Sequence, residues 1–113
     1  MGVIIKGQCP KCGYQTKNLY FGSGRVDFQY CCNYPVLIKT KKSIELRNIM
    51  RKDEVLAEDP NILFYDDRNL NANESGQTEH QIKWGDYKLR ADGNYCPNCS
   101  SFNLEFNVDG HWD

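Results

Sequence analysis

Residues 9–14 read Cys9-Pro10-Lys11-Cys12-Gly13-Tyr14, and the chain repeats the device as Cys96-Pro97-Asn98-Cys99, separated from Cys12 by 83 residues. In a C-P-x-C turn the proline restricts the backbone and the two thiols point to one side. Two such turns therefore supply four soft ligands, and four thiolates in a tetrahedron suit zinc or iron. One C-x-x-C alone is weak, because it also serves redox dithiols. A second pair with the same Cys-Pro opening makes Cys9, Cys12, Cys96 and Cys99 one candidate metal site. Two separate half-sites completed by a partner or a second copy are the alternative. A dithiol oxidoreductase would instead want its cysteines at the start of a helix in a βαβ setting, which the pattern lacks.

Outward from each pair the residues alternate as strands do. Val3-Ile4-Ile5 runs into the first pair and residues 14–21 return from it, predicting a hairpin with the cysteines at its tip. After the second pair Phe102, Leu104 and Phe106 alternate with Asn103 and Glu105, and Asp109-Gly110 predicts a last turn before His111-Trp112. Between the two ends, residues 25–30 alternate as a half-buried strand, and Val36-Leu37-Ile38 resumes as a strand once Pro35 has interrupted. The next segment is ambiguous: Ser43 suits a helix cap and Ile44 and Leu46 alternate, whereas Ile49, Met50, Val55 and Leu56 have helical spacing until Pro60 stops them. Residues 62–65 form a short apolar strand candidate, 66–81 a polar, mobile loop, and Ile82, Trp84 and Tyr87 a return to order.

The two cysteine turns resemble the knuckles of zinc-ribbon and rubredoxin-like proteins, in which each knuckle tips a β-hairpin and the hairpins clamp one metal. The resemblance covers about 20 residues at each end of the chain. It implies a mainly β zinc-ribbon domain over residues 1–113, with knuckles near 3–21 and 94–107 and an inserted β-rich or α+β segment over 22–93. It also makes Cys9, Cys12, Cys96 and Cys99 the ligands of zinc, with iron as the alternative. Gly13 matches the family's glycine after the knuckle, where φ is often positive, and Ser100 departs from it. Paired C-x-x-C motifs usually stand about 15–20 residues apart. The longer gap here is tolerable because loop-closure entropy grows only logarithmically and the insert folds on its own account.

The 113 residues suffice for one domain with a modest core, at 40% apolar composition and a net charge of −1. That mean hides an asymmetry: residues 1–52 carry +8 and residues 53–113 carry −9. Opposite charges on two halves suit mutual neutralisation, and they also leave a basic segment free for an anionic partner. In the second case Lys39, Lys41, Lys42, Arg47, Arg51 and Lys52 are the candidate nucleic-acid contacts, with Tyr20, Phe21 or Tyr34 available for stacking.

The near-zero net charge ranks a protein partner above nucleic acid, so the expected role is a binding or adaptor module. No secretory core or membrane span is legible, which leads to the expectation of a cytoplasmic protein whose six cysteines are kept reduced. No catalytic motif is legible either, and four thiolates close a metal to substrate, so no enzyme activity is expected. Adjacent Cys31 and Cys32 point to opposite faces of an extended chain, one as a buried hydrophobe and one as a partly exposed thiol. His80 and His111 are left as spare imidazoles, since a four-cysteine site needs no fifth ligand.

Overall fold

A computed structural model describes residues 2–23, 30–71, 81–85 and 87–112. Among the described residues the fold is mainly β, built from small antiparallel sheets with one short helix. The two ends of the chain meet directly. Strand β1 (Gly2–Gln8) is the centre of a three-stranded sheet, flanked by β2 (Leu19–Phe21) and β8 (Glu105–Trp112). Ile5 pairs with Leu19 on one side and Val108 on the other. Alternation along β1 buries Val3, Ile5 and Gly7, and across the partners it buries Leu19, Phe21 and Phe106.

The register corrects one expectation. Asp109-Gly110 makes no turn, since β8 continues through both residues to Trp112. Ile4 pairs with Gly110 while Ile5 pairs with Val108, so Asp109 is an extra residue bulged out of the ladder. A polar Asp-Gly pair is tolerated in either setting, and pairing with β1 decides between them. The second knuckle accordingly lacks a long hairpin of its own. Its arms meet at the Asn94–Leu104 bridge, with hydrogen bonds of 3.1 and 2.9 Å, and the outgoing strand then leaves to join β1.

Within the insert a second sheet has β3 (Asn33–Ile38) at its centre, between β4 (Ser43–Asn48) and β5 (Ile62–Phe64). Pro35 does not interrupt β3. It sits beyond the end of β5, where Tyr65 N–H donates to its carbonyl at 3.0 Å. The proline nitrogen has no hydrogen to return that bond, and the β3–β5 ladder stops there. The ambiguous segment proves to be both structures in succession. Ser43 opens β4 rather than capping a helix. Asn48 then accepts from Met50 N–H at 3.0 Å and starts a 3-10 turn (Ile49–Arg51) that runs into helix α1 (Lys52–Glu58).

A third, two-stranded sheet pairs β6 (Gln81–Trp84) with β7 (Tyr87–Arg90). Part of the expected polar loop is ordered: Asp67 N–H donates to Phe64, a 3-10 turn spans Arg68–Leu70, and Leu70 is buried. Residues 72–80, and residues 25–29 of the strand expected over 25–30, lie outside the described residues.

The sheets share buried side chains. Tyr34 of β3 lies edge-on to Phe21 of β2, with centroids 5.6 Å apart and planes at 80°, and its hydroxyl donates to the Lys88 carbonyl of β7 at 2.7 Å. Burial raises the Tyr34 phenol far above its usual range, so it remains a neutral donor. Phe21 and Tyr34 are fully buried, which removes both from the expected stacking surface; each is claimed by the inter-sheet core instead. Tyr20 is 46% exposed and packs on Trp112, centroids 5.4 Å apart.

Candidate metal centre

The local conformation of the two cysteine turns is the same, hydrogen bond for hydrogen bond. In the first, Cys9 N–H donates to Tyr14 O at 2.8 Å and Gly13 N–H to Cys9 O at 2.8 Å. In the second, Cys96 N–H donates to Ser101 O at 2.7 Å and Ser100 N–H to Cys96 O at 2.9 Å. Gly13 has φ of 82°, and Ser100, which departs from the glycine pattern, nonetheless takes φ of 59°. The left-handed residue is thus dictated by the knuckle, and the serine accepts a conformation that a β-carbon disfavours.

Each knuckle is held by the body of the fold. Gln8 and Gln15 form a bridge beneath the first, and Thr16 N–H donates to Gly7 O at 2.9 Å while Gly7 N–H donates to the Thr16 hydroxyl at 2.8 Å. Beneath the second, Tyr95 N–H donates to Leu70 O at 2.9 Å and the buried Tyr65 hydroxyl donates to Tyr95 O at 2.7 Å. Because β1 leads into one knuckle and β8 leaves the other, their pairing brings the two tips together.

The result is a cluster of Cys9, Cys12, Cys96 and Cys99 whose sulfurs all lie within 4.8 Å of one another. Cys9 Sγ is 3.7 Å from Cys99 Sγ, and Cys12 Sγ is 3.6 Å from Cys96 Sγ. Both separations exceed the about 2.05 Å of a disulfide. A tetrahedron with zinc–sulfur bonds of about 2.3 Å has edges of about 3.8 Å. The four sulfurs therefore fit a zinc-ribbon-like site, two of their separations matching such an edge and the widest exceeding it by no more than about 1 Å. Neither Cys31, Cys32 nor His111 belongs to the cluster, and His80 lies outside the described residues.

The electrostatics divide each pair into an inner and an outer thiol. Cys9 and Cys96 are buried, and burial pushes the Cys96 thiol up to about 12. Cys12 and Cys99 lie nearer the surface and have polar neighbours. Asn98 Nδ2 donates to Cys12 Sγ at 3.3 Å, and this bond is the chief cause that lowers the Cys12 thiol. Ser101 Oγ is 2.9 Å from Cys99 Sγ and brings that thiol down to about 6. Once the sulfur is a thiolate only the hydroxyl can donate. Buried thiolates need a cation beside them, and a divalent metal supplies it while displacing the remaining protons. Asn98 and Ser101 were not singled out from the sequence; their signal was proximity to the knuckle cysteines.

No family model matches this chain, nor does any curated protein or solved structure. The site is therefore read from its own residues.

The basic segment divides in two. Arg47 pairs with Glu45 at 3.2 Å, Arg51 with Glu54 at 3.4 Å, and Lys52 reaches both carboxylate oxygens of Asp66 at 3.1 Å. Two of these pairs join the basic and acidic halves of the chain. Lys39, Lys41 and Lys42 instead share the exposed β3–β4 turn and meet no acid among the described residues. Cys32 is fully buried, with its thiol pushed up to about 12 by desolvation, and Cys31 is half-buried with Sγ 3.4 Å from Asn33 Oδ1. Among the described residues no helix is long and apolar enough to cross a membrane.

Proposed function

We propose that the chain is a non-catalytic binding module in which Cys9, Cys12, Cys96 and Cys99 hold one structural zinc ion. The supporting observation is the convergence of two like knuckles, carried by the paired strands β1 and β8, on one cluster of four sulfurs. The metal would tie the ends of the chain together, and four cysteine ligands leave it no open position for a substrate. A structural zinc ion contributes on the order of 10 kcal/mol to small domains. The insert would then be the working surface, and the net charge of −1 favours a protein as the partner. Chelation while folding is followed by circular dichroism tests the scaffold role. Loss of tertiary structure on chelation, restored by zinc, is expected; an unchanged fold in the metal-free protein would remove the structural assignment.

A second reading places iron in the same ligands, as in rubredoxin-like electron carriers. The exposure of Cys12 favours it, because a sulfur at the surface offers an electron a short way out, and hydrogen bonds to sulfur tune such centres. Iron would supply one-electron chemistry when bound. A red protein with one reversible one-electron couple would establish this reading, and a colourless zinc protein would reject it.

A further inference from the structure

Four residues, Lys39-Thr40-Lys41-Lys42, join β3 to β4, and three of them are lysines without an acidic partner among the described residues. The turn is fixed at both ends. Lys39 N–H donates to Asn61 O at 2.9 Å, tying it to the approach to β5, and Lys41 N–H donates to Ile38 O at 3.2 Å. Lys42 has φ of 50°, a left-handed conformation that glycine or asparagine would take more readily. The fold thus holds a lysine at a position whose backbone alone would favour another residue.

Lys39 and Lys42 line a groove of about 120 Å³ whose other walls are Leu37, Tyr95 and Pro97. Tyr95 and Pro97 flank the metal ligand Cys96, so the groove runs between the lysine turn and the second knuckle. Leu37 and Pro97 are buried and give it an apolar floor. The half-buried Tyr95 ring is backed edge-on by Phe102 at 5.7 Å, and Phe102 is 40% exposed. Two ammonium groups beside an aromatic, apolar surface match a phosphate joined to a planar base. The volume is well below the about 300–1,000 Å³ of pockets that enclose whole small molecules. It suits one unit of a longer strand lying across the surface.

We infer that this groove binds single-stranded nucleic acid, with Lys39 and Lys42 on successive backbone phosphates and Tyr95 beneath an adjacent base. The inference adds a ligand to the binding-module reading and depends on the metal only because the second knuckle forms one wall. Metal content measured on every protein separates a failed groove from a failed scaffold.

The test is fluorescence anisotropy of the metal-loaded full chain with labelled oligouridylate and oligothymidylate of about 12 nucleotides. Uridine monophosphate and an oligoglutamate of equal length serve as competitors. Two phosphate contacts predict a slope of log K against log salt of about −1.4, and loss of one contact weakens binding roughly 8-fold at about 50 mM salt. Lys39→Gln and Lys42→Gly should each do this with metal content unchanged, and Lys17→Gln, away from the groove, should not. Lys42→Gly suits its backbone, so its loss of binding cannot be blamed on misfolding. Undetectable strand binding at low salt would overturn the inference. So would wild-type affinity in both groove variants, or equal competition by the monophosphate or by oligoglutamate.

Discussion

Ser100→Gly is expected to make the metal-loaded protein more stable, although it removes a hydrogen bond. The serine holds φ of 59°, and a left-handed residue with a β-carbon costs about 1 kcal/mol. Its hydroxyl accepts from the Tyr95 hydroxyl at 3.1 Å in an exposed position, a bond whose net value is about 0.5 kcal/mol. The difference leaves a gain of about 0.5 kcal/mol, roughly twofold in the folding equilibrium. Gly13 occupies the equivalent place in the first knuckle, where an added β-carbon meets nothing within 4 Å. Gly13→Ala therefore isolates the backbone cost and should destabilise by about 1 kcal/mol. Ser100→Ala removes the hydroxyl while keeping the strain, and should lose about 0.5 kcal/mol. Urea denaturation at fixed free zinc orders the four proteins as Ser100→Gly, wild type, Ser100→Ala, Gly13→Ala. Fixed free metal matters because bound zinc adds to apparent stability by mass action. If Ser100→Gly proves less stable than Ser100→Ala, the left-handed strain assigned to the second knuckle is wrong.

Gly22→Ala should destabilise by about 2 kcal/mol or more, since φ is 90° and a β-carbon would lie 2.5 Å from the Trp84 ring; thermal melts check it, and a neutral outcome would contradict that close approach. Lys52→Ala should cost at most about 1 kcal/mol, because the Lys52–Asp66 pair is about one-third exposed, and the loss should shrink in about 0.5 M salt. Cys32→Ser should cost about 1–3 kcal/mol by placing a hydroxyl in an apolar setting, with metal content unchanged. Loss of metal in that variant would make Cys32 part of the site.

The four-cysteine cluster was legible because it is local chemistry. Two Cys-Pro-x-Cys turns carry their own geometry, and the left-handed residue that follows could be expected from Gly13. Alternation in Val3-Ile4-Ile5 and around Leu104 and Phe106 likewise marked the strands that bring the knuckles together. Long-range pairing was not legible. Asp109-Gly110 has the composition of a turn, and only the presence of β1 alongside turns it into a bulge. Phe21 and Tyr34 looked available for stacking because an aromatic side chain serves a core and a binding surface equally well. Pro35 seemed a strand breaker until the end of β5 fell opposite it. The basic segment looked uniform in sequence, and folding divided it by bringing Asp66 to Lys52 while leaving Lys39 and Lys42 beside Tyr95.

The central claim is that both knuckles share one metal ion. Elemental analysis of untagged protein purified without added metal, on wild type and on Cys9→Ser and Cys96→Ser variants, tests it most directly. One zinc per wild-type chain is expected, with metal lost or greatly weakened in both variants, since each removes one ligand from the same tetrahedron. Two half-occupied sites, seen as one pair retaining its metal when the other is altered, would contradict a shared centre, as would a folded wild-type protein that holds no metal.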